Sequence, residues 1–352
     1  MESNILTPMT AGRLKVGLIG YGHAGSIFHA PLILAEPRFE LSAVATSRHS
    51  QVGRTLAGVR CVSSPAELFS DDSIDLIVVA SPNETHRELA LAALAAGKHV
   101  VVDKPLANSS REAGEIIDAA ARSGKMLSVF QNRRWDGDFL TVKSLIGEGS
   151  LGGVSYYEAR FDRDRPQIKA GWREEEKEGS GLLFDLGSHL IDQALSLFGP
   201  PESVSAVVEK QRPGARVDDY FRIELNYDSR QAVLQASMLA PEPGPRFLVR
   251  GDAGTFEKSG LDPQEDALKA GRRPGEIGWG RDLPKNYGTL TTKEGARRVE
   301  TLPGAYQDYY SGLASCLLHG APVPVAAEDA RRALIVLEAA RLSSAERRTV
   351  RL

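Results

Sequence analysis

The chain has 352 residues, enough for two domains, and its 42% hydrophobic and 25% charged residues are typical of a globular protein. The formal net charge of −3 argues against a general nucleic-acid binder. No apolar run is long enough to span a membrane, and Cys61 and Cys316 have neither metal nor disulfide spacing, so we expect a protein of the reducing cytoplasm.

The first half of the chain alternates short apolar runs with helical patterns. Strands are predicted at 14–19, 39–46, 61–62, 74–80, 100–102 and 126–130, and helices at 66–69, 84–96 and 111–123. This alternation is typical of a parallel, doubly wound sheet. We therefore predict an α/β fold.

The first predicted strand leads into Gly20-Tyr21-Gly22-His23-Ala24-Gly25, a G-x-G-x-x-G pattern between a strand and a helix. Gly20 permits the tight turn, Gly22 lets the backbone approach a pyrophosphate, and Gly25 lets the helix pack close to the strand. The N-terminus of that helix then offers N–H groups to the phosphates. The pattern predicts a dinucleotide-binding (Rossmann) domain, which we assign to residues 12–131.

The end of the second predicted strand bears on the choice of cofactor. NAD-preferring sites have an acidic residue near this point that binds the ribose 2′-hydroxyl. Here the chain has Thr46-Ser47-Arg48 and no carboxylate. Arg48 can pair with a 2′-phosphate and Ser47 can hydrogen-bond it, so NADP is favoured over NAD. The alternative is that Arg48 simply points to solvent.

Polar residues follow other predicted strands at the edge where open α/β sheets bind ligands. Ser81 and Asn83 follow the strand at 74–80, where they can cap a helix and reach a ligand. Asn132 follows the strand at 126–130 and is a candidate contact to substrate or nicotinamide.

The most informative strand end is Asp103-Lys104-Pro105. Pro105 cannot continue a central strand, so Lys104 should lie just beyond the carboxyl end of the valine-rich strand before it. A lysine held there can hydrogen-bond a polar substrate oxygen. An isolated lysine would instead be interpreted as a solvated surface residue.

Residues 132–352 show a different pattern, which we assign to a substrate-binding and oligomerisation domain. After a predicted helix at 139–148, strands with alternating polar and apolar residues are predicted at 155–161, 203–208, 219–226, 231–237 and 246–251. This favours a C-terminal α+β domain with a large, mostly antiparallel open sheet. Residues 261–291 are predicted as loop. Helices are predicted at 308–317 and 328–343, and these C-terminal helices can pack back on the first domain.

A glycine-rich stretch, 179–192, enters a helix predicted to continue to Phe198 and contains Asp185 and His189. Residues four apart share one helical face, so the carboxylate can orient the imidazole and stabilise its cation. A neutral imidazole is a suitable proton acceptor near pH 7. The alternatives are a helix cap with a core histidine, or a metal site that includes Asp192, which lacks a third nitrogen or sulfur ligand.

These residues together resemble the glucose–fructose oxidoreductase family, also called Gfo/Idh/MocA, over nearly the whole chain. The stretches that carry the resemblance are Gly20-Tyr21-Gly22, Ser81-Pro82-Asn83 with His86, Gly97-Lys98-His99, Lys104-Pro105, and Asp185 with His189. The family commonly has Glu-Lys-Pro where this chain has Asp103-Lys104-Pro105, a conservative departure.

Within the family, the chain is most similar to the NADP-dependent scyllo-inositol dehydrogenase-like branch. The shared stretches are Phe28-His29-Ala30-Pro31-Leu32, Asn132-Arg133-Arg134-Trp135-Asp136, Gly171-Trp172-Arg173 and Leu261-Asp262-Pro263-Gln264.

The resemblance implies a metal-free dehydrogenase in which three side chains act on one carbon–oxygen bond. Lys104 holds and polarises the reacting oxygen, His189 exchanges the hydroxyl proton, and Asp185 orients His189. The implied cofactor-binding residues are Gly20, Tyr21, Gly22, His23, Ala24, Gly25, Ser47, Arg48, Ser81, Pro82, Asn83, His86, Asp103, Lys104, Asn132, Trp172 and Arg173. The resemblance also implies a homodimer or homotetramer formed through the C-terminal sheet.

The expected substrate is an inositol or another polyol, with a sugar acid, aldose or other carbonyl compound as the alternative within the family. A polyol requires several hydrogen bonds, which can be supplied by Asn132, Arg133, Trp135, Asp136, Trp172 and Arg173, with an indole as a stacking face. The pair Trp172-Arg173 can instead contact the nicotinamide half of the cofactor. A third possibility is an NADP-binding sensor without turnover, which would have no need of a proton acceptor such as His189.

Overall fold

A computed structural model describes residues 12–168, 171 and 174–352. The helices are α1 (Ala30–Ala35), α2 (His49–Thr55), α3 (Pro65–Phe69), α4 (His86–Ala95), α5 (Ser110–Ser123), α6 (Gly137–Gly147), α7 (Ser188–Phe198), α8 (Gln264–Lys269), α9 (Gln307–His319) and α10 (Ala327–Glu346). The strands are β1 (Leu14–Ile19), β2 (Phe39–Ala45), β3 (Arg60–Val62), β4 (Leu76–Val79), β5 (His99–Asp103), β6 (Leu127–Phe130), β7 (Val154–Asp162), β8 (Ser203–Glu209), β9 (Tyr220–Asn226), β10 (Gln231–Ser237), β11 (Phe247–Gly251), β12 (Gly254–Lys258), β13 (Gly288–Thr292), β14 (Gly295–Val299) and β15 (Val350–Arg351).

The chain divides into two compact units. The first contains the residues up to Asn132 together with Gln264–Trp279 and Ala305–Arg331. The second contains Arg133–Pro263, Gly280–Gly304 and Arg332–Leu352. The chain crosses between the units several times. Helices α8 and α9 therefore belong to the first unit although Arg133–Pro263 of the second unit precedes them in sequence.

The first unit is built on a six-stranded parallel sheet in the order β3-β2-β1-β4-β5-β6. The central strands β4 and β5 carry continuous apolar side chains that are buried on both faces, as parallel sheets require. This strand order is that of the Rossmann fold, and the prediction of a doubly wound parallel sheet is confirmed.

The second unit is built on a nine-stranded sheet in the order β14-β13-β12-β11-β7-β10-β9-β8-β15. All of its pairings are antiparallel except that between β7 and β10. Strand β9 shows the alternation expected of a sheet with one covered face, since Phe221, Ile223 and Leu225 are buried and the residues between them are half-exposed. The predicted mostly antiparallel sheet is confirmed.

Several elements differ from the sequence-based predictions. Helix α2 was not predicted, and residues 261–291 form α8 and most of β13 where a loop was expected. Strands β12, β14 and β15 were also not predicted. These strands are two to five residues long, and β14 is mostly exposed, so its sequence carries almost no apolar alternation.

Two stretches form π-helical turns rather than the expected regular α-helix. They are Ala24–His29, immediately after the glycine pattern, and Leu183–Gly187, immediately before α7. π-Helical turns are rare and often lie at functional sites. In the described part of the chain, no helix is both long and apolar enough to cross a membrane.

Candidate active site

The carboxyl ends of four adjacent parallel strands, β1, β4, β5 and β6, lie along one edge of the first unit's sheet. Strand pairing brings Ile19 opposite Val79, Val79 opposite Val102, and Val102 opposite Val129. The residues that follow these strands are therefore neighbours along the edge. They include the glycine pattern, Ser81-Pro82-Asn83, Asp103-Lys104 and Asn132, all predicted site residues.

The three glycines of the pattern have different surroundings. Gly20 has φ +93°, and a Cβ there would lie 2.4 Å from the carbonyl oxygen of Ala80. A Cβ on Gly25 would lie 2.1 Å from the carbonyl oxygen of Gly20, whereas a Cβ on Gly22 would meet no atom within 4 Å. Gly20 and Gly25 are thus required by the turn itself, and the space beside Gly22 is open. This arrangement fits a pyrophosphate that approaches the backbone at Gly22.

We expect Gly22→Ala to weaken dinucleotide binding without loss of stability. Its methyl group would enter the open space beside the turn and displace a bound phosphate, lowering affinity by about tenfold or more, or ~1.4 kcal/mol. Nicotinamide fluorescence titration and thermal unfolding of the same samples check this expectation.

Gly25→Ala is the matched comparison, because its added methyl must move the Gly20 backbone and therefore lower the unfolding temperature. If Gly22→Ala bound the cofactor as tightly as the unmodified chain, the role assigned to Gly22 would be wrong.

The other residues of the pattern are held differently. The Tyr21 side chain is buried and its hydroxyl hydrogen-bonds Thr55 Oγ1 at 2.8 Å, so Tyr21 offers only backbone to a ligand. His23 is exposed and its ring contacts Phe28 edge-on, with centroids 5.9 Å apart. Ala24 opens the π-helical turn, and the Ser26 amide donates to the carbonyl of Gly22.

Ser47 and Arg48 are exposed just beyond β2, on the strand next to β1. The Arg48 amide donates to Thr46 Oγ1 at 3.2 Å, which shapes the turn. Among the residues that the structure describes, no carboxylate pairs with the Arg48 guanidinium. A cation without a competing carboxylate is suited to an anionic ligand.

The His86 side chain ties two strand ends together. Its Nδ1 lies 2.8 Å from the Pro105 carbonyl oxygen and its Nε2 lies 3.0 Å from the Ser81 carbonyl oxygen. The ring is buried, and burial lowers the pKa of His86 although both carbonyls and Asp103 oppose that effect. His86 therefore holds the loops after β4 and β5 in place rather than exposing its ring.

Near His86, Ser81 and Thr85 share a hydroxyl hydrogen bond of 2.6 Å, and Pro82 and Asn83 start the short 3₁₀ turn that leads into α4.

Lys104 follows β5, and the Lys104–Pro105 peptide bond is cis. The Lys104 amide donates to Asp103 Oδ1 at 2.8 Å. Burial would raise the pKa of Asp103, but the facing His29 imidazole, Lys104 and His86 outweigh burial and lower that pKa below its usual value. Asp103 is thus an anion that holds the backbone of Lys104.

Sequence reasoning did not assign a role to His29, which lies in the first π-helical turn. Its Nδ1 is 2.6 Å from the Tyr310 hydroxyl, and its Nε2 is 3.9 Å from Asp103 Oδ1. The ring is fully buried. Tyr310 is 281 residues away in sequence, so no local pattern links it to the carboxylate beside Lys104.

In the second unit, Asp185 lies in the π-helical turn Leu183–Gly187 and His189 lies in the first turn of α7. Asp185 is half-buried and His189 is buried. The two elements are continuous, so Asp185 and His189 lie on one short segment.

The glycine before this turn has a structural reason that the sequence did not reveal. Gly181 has φ +93°, and a Cβ there would lie 2.2 Å from Asp218 Oδ1. Asp218 Oδ2 accepts the Leu183 amide at 2.6 Å and caps the π-helical turn. Burial raises the pKa of Asp218. The Asp218 carboxylate therefore occupies the space beside Gly181.

The segment Asn132–Trp135 forms a 3₁₀ turn. Asn132 is buried. Arg133 Nη1 lies 3.3 Å from Asp136 Oδ2, and the Arg133 guanidinium lies above the Phe161 ring. Arg134 forms an ion pair with Asp192 through two hydrogen bonds. Both arginines therefore pair with acids inside the second unit. Trp172 and Arg173 lie outside the described residues.

Across the described ranges, no group of three or more His, Cys, Asp or Glu side chains is arranged to hold a metal ion. Asp192, considered with Asp185 and His189 as a possible ligand, is bound by Arg134.

The chain is similar to known proteins over nearly its whole length. It is 43% identical over 343 residues to scyllo-inositol 2-dehydrogenase (NADP⁺) IolW of Bacillus subtilis, covering 96% of each chain. It is 46% identical over 342 residues to the oxidoreductase YdgJ of Escherichia coli, covering 96% of this chain and 98% of that one. The solved structure of yvaA from Bacillus subtilis has a TM-score of 0.95 and 41% identity, covering 98% of this chain and 99% of that one.

Two family models match in succession. Residues 14–131 match the oxidoreductase family's NAD-binding Rossmann fold, and residues 143–352 match its C-terminal alpha/beta domain. The resemblance seen in the sequence is confirmed, and the chain belongs to the Gfo/Idh/MocA oxidoreductase family.

Proposed function

We propose that this oxidoreductase is an NADP-dependent dehydrogenase or reductase that acts on a secondary hydroxyl or ketone of a polyol such as scyllo-inositol, or of a sugar. The proposal depends mainly on one edge of the Rossmann sheet. The glycine turn with open space beside Gly22 follows β1 at this edge, and Lys104 with its side-chain amine follows β5. The likeness to an NADP-dependent scyllo-inositol dehydrogenase over 96% of the chain supports the substrate class.

In the proposed reaction the bound nicotinamide supplies the hydride acceptor or donor. Lys104 hydrogen-bonds the reacting oxygen and polarises its bond to carbon. His189 takes the hydroxyl proton during oxidation and returns it during reduction, while Asp185 orients the imidazole and stabilises its cation. One hydride and one proton leave the alcohol together, so the product is a ketone.

The preference for NADP is inferred from Ser47 and Arg48. Both are exposed beyond β2, and no carboxylate in the described ranges neutralises the guanidinium. A 2′-phosphate would gain a charge-assisted hydrogen bond from Arg48, whereas a 2′-hydroxyl would meet no acidic acceptor there.

The substrate contacts remain proposals. Arg133 pairs with Asp136, and the polyol contacts that we propose in this turn are Asn132 and Trp135. The homodimer or homotetramer implied by the resemblance likewise stays a prediction.

The test is a screen of NADP⁺ and NAD⁺ against inositol isomers and common sugars, in which the absorbance of the reduced nicotinamide measures turnover. We expect at least one polyol to be oxidised, and NADP⁺ to be reduced much faster than NAD⁺. Cofactor fluorescence that changes on binding, with no turnover on any compound of the panel, would instead favour a dinucleotide sensor and overturn the proposal.

A further inference from the structure

A buried ion pair anchors the helix that carries His189. Arg134 Nε donates to Asp192 Oδ2 at 2.8 Å, and its Nη2 donates to Asp192 Oδ1 at 2.7 Å. The Asp192 side chain is 2% exposed and that of Arg134 is 15% exposed. Two parallel charge-assisted hydrogen bonds fix both the distance and the orientation of such a pair.

Asp192 follows His189 by three residues on α7. Residues three apart on a helix are neighbours, with Cβ atoms ~5–6 Å apart. Asp192 therefore lies within one helical turn of His189, and its carboxylate is hydrogen-bonded to the guanidinium of Arg134.

The next residue on the helix, Gln193, makes two side-chain hydrogen bonds of its own. Gln193 Nε2 donates to the Arg133 carbonyl at 2.8 Å, and Gln193 Oε1 accepts from Arg246 Nη2 at 3.0 Å. The Arg246 guanidinium lies 4.0 Å from the centroid of the Phe161 ring, and its Nε is 3.3 Å from Asp138 Oδ2. The hydrogen bond between Arg246 and Gln193 joins α7 to a different segment, so it can still hold the helix when the Arg134–Asp192 pair is removed.

We propose that Arg134 and Asp192 are positioning residues that hold His189 and balance the charge beside it. The proposal rests on the proposed function, in which His189 is the proton acceptor. A second carboxylate in addition to Asp185 would stabilise the imidazolium so far that His189 would already be protonated near neutral pH and could not accept the substrate proton. Arg134 offsets that field while its forked hydrogen bonds keep Asp192 in one rotamer.

Other charged groups lie around α7 and the turn before it. Within the described part of the second unit they include Asp185, the pair Arg133–Asp136, the pair Arg246–Asp138, Asp218 at the Leu183 amide, Arg230 above the Phe198 ring and Arg341 above the Phe184 ring. None of the substitutions below removes any of these groups, so they contribute equally to every variant.

The test follows the titration of the His189 imidazole by NMR in the full chain, with the resonance assigned by its loss in His189→Gln. Asp192→Asn leaves the arginine cation and should lower the titration midpoint by about one pH unit. Arg134→Gln leaves the carboxylate and should raise it by about one unit, as expected for a charge one helical turn away at an effective dielectric constant of ~20 or more. The double variant should return close to the original midpoint.

A purely structural pair would give a different result. The control is Glu36→Gln, which breaks a similarly forked ion pair with Arg38 in the first unit and should lower the unfolding temperature without moving the His189 midpoint. Single variants that shift the midpoint in the same direction, or folded variants that do not shift it, would overturn the proposal.

Removing one partner of a buried pair can prevent folding. In that case Arg134→Lys/Asp192→Asn, which leaves only a flexible cation, is compared with the neutral double variant. Its midpoint should be lower by about one unit, as expected for an unbalanced positive charge one helical turn away. Equal midpoints in the two double variants would overturn the proposal.

The titration of the His189 imidazole is measured without substrate turnover. A chain that oxidised no polyol would contradict the proposed function while leaving this measurement intact. In an active chain, the pH of half-maximal kcat should move in the same direction as the midpoint in each variant.

Discussion

Lys104→Met and His189→Gln are each expected to lower kcat by about 10²-fold or more, the range for loss of acid–base assistance. The methionine keeps the length of the lysine side chain but cannot donate a hydrogen bond to the reacting oxygen. The glutamine can hydrogen-bond but cannot exchange a proton near pH 7. Steady-state rates with the best substrate of the screen measure both effects.

A measurement of cofactor binding distinguishes a loss of catalysis from general damage to the fold. His189→Gln should bind NADP as the unmodified chain does, because His189 is not among the residues assigned to dinucleotide binding. Lys143→Met and His319→Gln are matched controls, since both original residues are exposed on helices away from the predicted site residues in sequence. A variant at Lys104 or His189 with full turnover would disprove the role given to that residue.

Arg48→Asp should reverse or abolish the preference for NADP. The substitution removes a cation that can pair with the 2′-phosphate and places a carboxylate where NAD-preferring sites use one for the ribose 2′-hydroxyl. A hydrogen bond to a charged group is worth ~1.5–3 kcal/mol, so kcat/KM for NADP⁺ should fall by about 10–100-fold. The ratio of kcat/KM values for NADP⁺ and NAD⁺ is the measurement.

Arg54→Asp provides the control for this charge change. Arg54 is exposed on α2, the helix that begins directly after Arg48, and is not among the predicted cofactor contacts. It should therefore leave the cofactor ratio nearly unchanged. An unmodified chain that preferred NAD⁺ would show that the argument from Arg48 is wrong.

Some of the architecture could be predicted from local pattern alone. Strand β1 and strand β10 were predicted with the bounds that the structure has, because an apolar run or a two-residue alternation is written directly in consecutive residues. The turn at Gly20–Gly25 was recognisable because each glycine has a separate steric role. At Gly20 and Gly25 an added Cβ would clash with a backbone oxygen.

The sequence by itself thus determined the fold class, the family, and which residues follow the strands of the Rossmann sheet. Only the tertiary structure decided the short strands β12 to β15, the partner of Arg134, the contact between His29 and Tyr310, and the carboxylate that requires Gly181. The physical reason is the range of the interactions. Periodic burial and turn sterics act between near neighbours in the chain, whereas strand pairing and buried ion pairs join residues whose separation in sequence carries no signal.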